Sequence, residues 1–282
     1  MRIRPLLIAL TLAGGLAVAP AATAATASAS TRASNPGPIV GVHGLHRAVG
    51  VHLPQTSLPR AGSDNQPWSG YVDVADPNVA LRYVASSFNV PTLRCPSSGQ
   101  ADVSIWVGIN GLNQTNGTVE QDGVDGVCNN GLPTYYLWYE IYPEAKVPLY
   151  DINPGDSIGV SVYFTGSSYQ MTLDDKTTGA STSVPGLDCP SGHSCPNTTA
   201  EVIAEDYGGG VAGGNDLADF GSLKFSDSVV TSRDGTHGTL SPNSLWSSTE
   251  ISMEDPAGNI MAQPSGLSDG GADYTDVYKR SS

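Results

Sequence analysis

Basic side chains are scarce in this 282-residue chain, and beyond position 60 they nearly vanish. All 27 acidic residues lie after that position, where only eight Lys and Arg remain, a formal balance of −19. Such a surface repels nucleic acid and anionic membrane, so neither is an expected partner. It also suits work at low pH, where protonated carboxyls relieve the repulsion. Histidine is scarcer still: past the first 60 residues only His193 and His237 occur, both in Gly/Ser-rich loops. A serine triad, which needs a well-held imidazole, is therefore excluded. His-Glu-x-x-His and the Asp-Thr-Gly or Asp-Ser-Gly of a pepsin-like site are missing. With only His193 near a cysteine there is no zinc-ligand set, and no cofactor is called for. Long apolar runs are absent after the N-terminus, as is any sustained 3.6-residue period, which removes membrane spans and long helices from the expected architecture.

What is present begins with Arg2 and Arg4, an apolar run from Leu6 to Val18, and small residues ending Ala22-Thr23-Ala24. That pattern reads as a secretory signal over 1–24, so the protein is expected to be secreted. Residues 25–60 are rich in Ala, Ser, Pro and Gly and carry Arg32, Arg47, Arg60, three histidines and no acid. They read as a basic propeptide, with the acidic domain of 61–282 as its partner. The four cysteines, in an oxidising compartment, imply two disulfides. Of the three possible pairings, Cys95 with Cys128 and Cys189 with Cys195 is favoured because the second closes a short Pro-Ser-Gly-His-Ser loop.

From Trp68 onward, short segments rich in Val, Ile, Tyr and Thr alternate with Gly, Pro, Asn and Asp clusters. This predicts an all-β antiparallel sandwich in one domain. The expected strands are 69–74, 83–90, 103–109, 135–142, 157–164, 168–174, 199–205, 218–225 and 248–253. In Tyr135–Tyr142, alternation puts Tyr136, Trp138, Glu140 and Tyr142 on one face, where aromatic neighbours would desolvate the carboxyl. In the segment 200–206, Glu201 and Glu205 share a face but stand about 13 Å apart, so Glu205 must find its partner on another strand. The stretch 119–126, Val-Glu-Gln-Asp-Gly-Val-Asp-Gly, reads as a turn-like acidic loop without the oxygen spacing of an EF-hand.

Taken together, these segments resemble the glutamic peptidases, the eqolisin family of acid endopeptidases. Trp68-Ser69-Gly70 resembles the start of the mature enzyme, and Trp106-Val107-Gly108-Ile109-Asn110-Gly111 its Trp-Val-Gly-Ile-Asp-Gly strand. Gln121-Asp122-Gly123-Val124-Asp125 resembles the segment holding the catalytic glutamine, and Trp138-Tyr139-Glu140-Ile141-Tyr142-Pro143 resembles Trp-Tyr-Glu-x-Tyr-Pro. Asn197 to Asp206 resembles Thr-Asn-Ala-Glu-x-Ile-x-Glu-Asp, whose second glutamate, here Glu205, is catalytic. The likeness runs over about 66–226 and leaves a tail of uncertain role beyond.

The resemblance implies a β-sandwich of the concanavalin A-like, jelly-roll type, with two antiparallel seven-stranded sheets and the site in the concave face of one. It implies that Glu205 takes a proton from water and returns one to the leaving nitrogen, while Gln121 donates its amide N–H to the oxyanion. Trp68, Trp106, Asp125, Trp138 and Glu140 are implied as supporting or substrate-lining groups. Asn110 and Tyr136 stand where the family carries aspartates and are expected near the site. Polypeptide substrates and a monomeric enzyme follow. Two rivals compete: a β-sandwich glycosidase using Glu140 and Glu205, which would not need Gln121, and a secreted carbohydrate-binding module, which needs no catalytic glutamate.

Overall fold

Alternating side chains along nearly every strand sort into two sets, one filling the space between two sheets and one turned away from it. The computed structural model describes residues 67–112, 117–207 and 215–281. The signal segment 1–24 and the leader 25–60 lie outside the described residues.

The first sheet contains β1 (Trp68–Ala75), β3 (Gln100–Ile109), β4 (Val119–Asn129), β5 (Leu132–Tyr142), β6 (Val147–Asp151), β10 (Thr199–Glu205), β11 (Asp216–Leu217) and β14 (Trp246–Ile251). Its order is β14-β1-β10-β3-β4-β5-β6, with β11 beside β3. The second contains β2 (Leu81–Asn89), β7 (Ser157–Phe164), β8 (Tyr169–Asp175), β9 (Ala180–Leu187), β12 (Ser222–Ser232), β13 (His237–Gly238), β15 (Met253–Glu254), β16 (Ile260–Pro264) and β17 (Tyr274–Tyr278). Here the order is β15-β16-β17-β12-β2-β7-β8-β9, with β13 beside β12. Pairing is antiparallel except for β11, which runs parallel to β3. The sheets thus number eight and nine strands instead of seven each. The excess is the three two-residue strands β11, β13 and β15, too short to announce themselves in sequence.

Between the sheets lies the main core, in which Val103, Ile105, Val107 and Ile109 of β3 and Ala200, Val202 and Ala204 of β10 meet Val84, Phe88, Val160, Val162, Leu173 and Phe225 of the second sheet. A second apolar cluster forms on the opposite face of the first sheet, from Trp68, Val72, Trp106, Val119, Trp138, Ile203 and Ile251. Burying an indole stabilises by roughly 2–3 kcal/mol, so three tryptophans on one outward face make a firm floor there.

One expectation needs correction: the acidic stretch 119–126 is no turn but most of β4, paired on both sides in the middle of the first sheet. The chain beyond 226, whose role was left open, belongs to the sandwich. It completes β12, supplies edge strand β14 to the first sheet, and adds β15, β16 and β17 to the second. Strands β6 and β9 were also absent from the expected set. Cys95–Cys128 and Cys189–Cys195 are the bonded pairs, with Cα separations of 5.4 and 6.0 Å.

Candidate active site

Register puts the chemistry on the outward face of the first sheet. The Asn130-Gly131 pair joins β4 to β5, with Asn130 at φ 49° and Gly131 at φ 86°. Positive φ at both positions is the type I′ geometry that closes a two-residue hairpin, and Asn-Gly adopts it readily. That turn fixes Asn129 opposite Leu132 and therefore Gln121 opposite Glu140 and Asp125 opposite Tyr136. A slip of one residue would send the slipped strand's pair to the other face and separate it from its partners.

Ile203, Trp106, Gly123 and Trp138 form one row across β10, β3, β4 and β5. One same-face step along the strands, about 7 Å, brings Glu201, Gly108, Gln121 and Glu140. One step the other way brings Glu205, Ser104, Asp125 and Tyr136. Gln121 and Glu205 thus flank the tryptophan row from opposite sides. The row itself depends on Gly123: a Cβ there would stand 2.2 Å from the Ile105 carbonyl oxygen and 2.7 Å from Trp106 Cβ.

Trp106 Nε1 donates to Glu205 Oε2 at 2.9 Å. Trp68, edge-on to Trp106 with ring centroids 5.0 Å apart, turns its indole N–H toward the same carboxylate without closing a hydrogen bond. Gln121 Nε2 donates to Glu140 Oε2 at 2.9 Å, while Gln121 Oε1 has no partner among the described residues. One amide N–H of Gln121 is therefore held by Glu140, and the second remains for another acceptor.

Burial pushes the Glu140 carboxyl up to about 7; nearby Glu205 and Asp125 add to the rise, and Lys146 and Gln121 oppose it. Burial also raises Glu205, against the pull of Lys146 and of the two indole N–H groups. The influence of Glu205 on Glu140, which holds Gln121, places the three in one electrostatic neighbourhood.

Lys146, in the turn between β5 and β6, was not singled out in the sequence. Its Nζ lies 2.8 Å from Asp125 Oδ2, 3.9 Å from the centre of the Trp138 ring and 4.1 Å from that of Tyr207. Asp125 further accepts from Ser104 Oγ at 2.6 Å and Tyr136 Oη at 2.8 Å. Tyr136 therefore holds Asp125.

Asn110 does not join this cluster. At φ 74° just past β3, its amide donates to Glu120 at 2.5 Å and to Asn197 at 3.1 Å, and its Oδ1 accepts from the Asn197 N–H at 2.6 Å. It belongs to a buried network behind the sheet, where Tyr169 also donates to Asn197.

The Peptidase A4 family model covers residues 66–260, so the likeness extends past the boundary near 226. Over 195 residues the chain is 33% identical to aspergillopepsin-2 of Aspergillus niger, covering 61% of this chain and 66% of that protein. Scytalidopepsin B of Scytalidium lignicola is 35% identical over 158 residues, 53% of this chain and 58% of its own length. The matched stretch thus spans about three fifths to two thirds of these relatives. Among solved structures, scytalido-glutamic peptidase with a peptide-based transition-state analog superposes with TM-score 0.61 at 30% identity, covering 76% of this chain and 98% of its own. Aspergilloglutamic peptidase from Aspergillus niger gives 0.53 at 30%, covering 64% and 99%.

Proposed function

The chain belongs to the peptidase A4 family, and from that premise we propose that it is a secreted endopeptidase that cuts polypeptides at acid pH with Glu205 and Gln121. The observation that carries this reading is the pairing of differently held groups on one face. Glu205 is bonded to an indole N–H, and Gln121 is anchored by Glu140 with one amide N–H to spare.

In the proposed reaction a water lies against the scissile carbonyl, and Glu205 as carboxylate takes one of its protons. The water oxygen bonds to the carbonyl carbon, and the C=O electron pair moves onto oxygen, where Gln121 Nε2–H receives it. Collapse of this intermediate breaks the C–N bond as Glu205 returns the proton to the leaving nitrogen. A neutral amide donates at any pH, which suits a catalyst working where cationic donors are not needed and carboxylates are partly protonated.

Glu140, with its carboxyl raised to about 7, is protonated at the working pH. It then adds no second negative charge beside Glu205 and keeps Gln121 oriented. Trp68, Trp106 and Trp138 form an apolar floor against which an extended peptide lies, excluding water around the developing charge. Residues 25–60 are proposed as an inhibitory propeptide held by charge, and the enzyme is proposed to act as a monomer without cofactor.

Digestion of a denatured protein from pH 2 to 7, with mass spectrometry of the products, tests the reading. Internal cuts confined to acid pH support it. An intact polypeptide alongside cleaved glycan would replace it with the glycosidase.

A further inference from the structure

The ammonium of Lys146 has few reasons to be where it is. A lysine in a hairpin turn ordinarily extends into water, because removing the charge from solvent is costly. Here the side chain is 11% exposed and its Asp125 partner 7%. The charge sits between the Trp138 and Tyr207 rings and also lies 3.4 Å from Ser104 Oγ. A buried ion pair of this kind adds little net stability, so its retention points to a role other than holding the fold.

Around it stand Ser104 on β3, Asp125 on β4, Tyr136 and Glu140 on β5, Glu205 at the end of β10 and Tyr207 just beyond, with Asp102 behind Tyr136. Among the described residues, Lys146 is the cation named among the largest influences on both Glu140 and Glu205. Glu205 stands directly opposite Ser104, whose hydroxyl Lys146 reaches, and we propose that Lys146 is a positioning residue whose charge favours the ionised form of Glu205 against its burial and so sets the lower pH limit of catalysis. This rests on the role proposed above for Glu205 as base.

The direction follows from the charges. Lys146 favours the ionised form of Glu205, and Asp125, twice bonded to Lys146, disfavours it. Removing the lysine alone leaves Asp125 uncompensated, so Glu205 holds its proton to higher pH. Removing both charges cancels part of that change. Replacing lysine by arginine keeps the cation.

The experiment measures kcat/KM on one peptide substrate from pH 2 to 7 for the wild type, Lys146→Met, Lys146→Arg and the double variant Lys146→Met/Asp125→Asn. Lys146→Met is expected to move the acid limb up by about one pH unit, so that activity on that limb falls about tenfold. The double variant should move it less, and Lys146→Arg should leave the limb in place. Thermal melts at pH 4 establish that each variant is folded; should Lys146→Met fail to fold, the neutralised double variant still reports, with its limb above that of the wild type. An acid limb unmoved in a folded variant, or an equal loss at every pH, overturns the inference while leaving the Glu205–Gln121 reading intact. Acid cleavage that survives Glu205→Gln would instead remove that reading and this inference with it.

Discussion

Replacing Asp73 by Asn should make the protein markedly less sensitive to rising pH. Asp73 lies on the inward face of β1, opposite Ser248 of β14 and Ala200 of β10. It is fully buried, and neither carboxyl oxygen has a hydrogen-bond partner among the described residues; the Ser248 hydroxyl eases its charge without closing a bond. Burial, reinforced by Glu201, pushes its pKa from 3.8 up to about 8. The folded chain thus binds this proton more tightly than the unfolded chain does. Stability from this group is complete below about pH 4, falls as pH rises from 4 to 8, and is level beyond. Four units at about 1.4 kcal/mol each give a loss of about 6 kcal/mol, comparable to the whole stability of many domains. Asn cannot ionise and keeps the shape of the protonated acid. Urea unfolding followed by tryptophan fluorescence at pH 4, 6 and 8 measures the gap between variant and wild type. That gap should change in favour of Asp73→Asn by several kcal/mol between pH 4 and 8. A constant gap would refute the reasoning. Glu201, raised to about 8, and Asp276 and Glu120, raised to about 7, act in the same direction by burial, so the wild type itself should lose stability toward neutral pH.

Gly123→Ala should displace Trp106 and lower kcat/KM by at least about tenfold with the sandwich retained, checked by kinetics beside circular dichroism; an unchanged rate would show that the indole row does not order the site. Loss of Cys95–Cys128, separated by 33 residues, should cost about 4 kcal/mol, and loss of Cys189–Cys195, separated by 6, about 2, as urea melts of Cys→Ala pairs would show. Residues 25–282 prepared at neutral pH should remain uncut and inactive, then mature well below pH 6 at a rate raised by salt; activity of the uncut chain at pH 6 would remove the charge-held propeptide.

The outward face of β5 was readable because Tyr136, Trp138 and Glu140 obey strict alternation among strong strand formers. Its neighbour β4 was not, and the reason lies in what its two faces do. Outward it carries Gln121, Gly123 and Asp125 for the cleft, and inward it carries Glu120 and Asp122, both fully buried carboxyls. With the proposed site groups on one side and protonatable acids on the other, neither face shows the apolar period by which strands are recognised. The Asn130-Gly131 turn was the available signal for it, marking a hairpin whose partner to β5 had to be the segment before. Lys146 could not be distinguished in sequence from any solvated turn lysine, since its burial arises only when β10 and the following Tyr207 close over it. Asn110 was placed near the site because it stands where the resembled family carries an aspartate, but the left-handed turn at its own φ redirects it into the Glu120–Asn197 network. After 226 the expected strand 248–253 corresponds to β14 and the start of β15, whereas β16 and β17 carried too little apolar alternation to be counted, although β17 pairs with β12.

Glu205 can be explained by several carboxylate mechanisms, whereas Gln121 belongs to only one of those considered, so the decisive measurement is kcat/KM of Gln121→Ala at the acid optimum on a defined peptide. A loss of about 10²–10³, with folding preserved and little further loss when Glu205→Gln is added, is the predicted result. Near-normal cleavage by a folded Gln121→Ala protein would contradict the account.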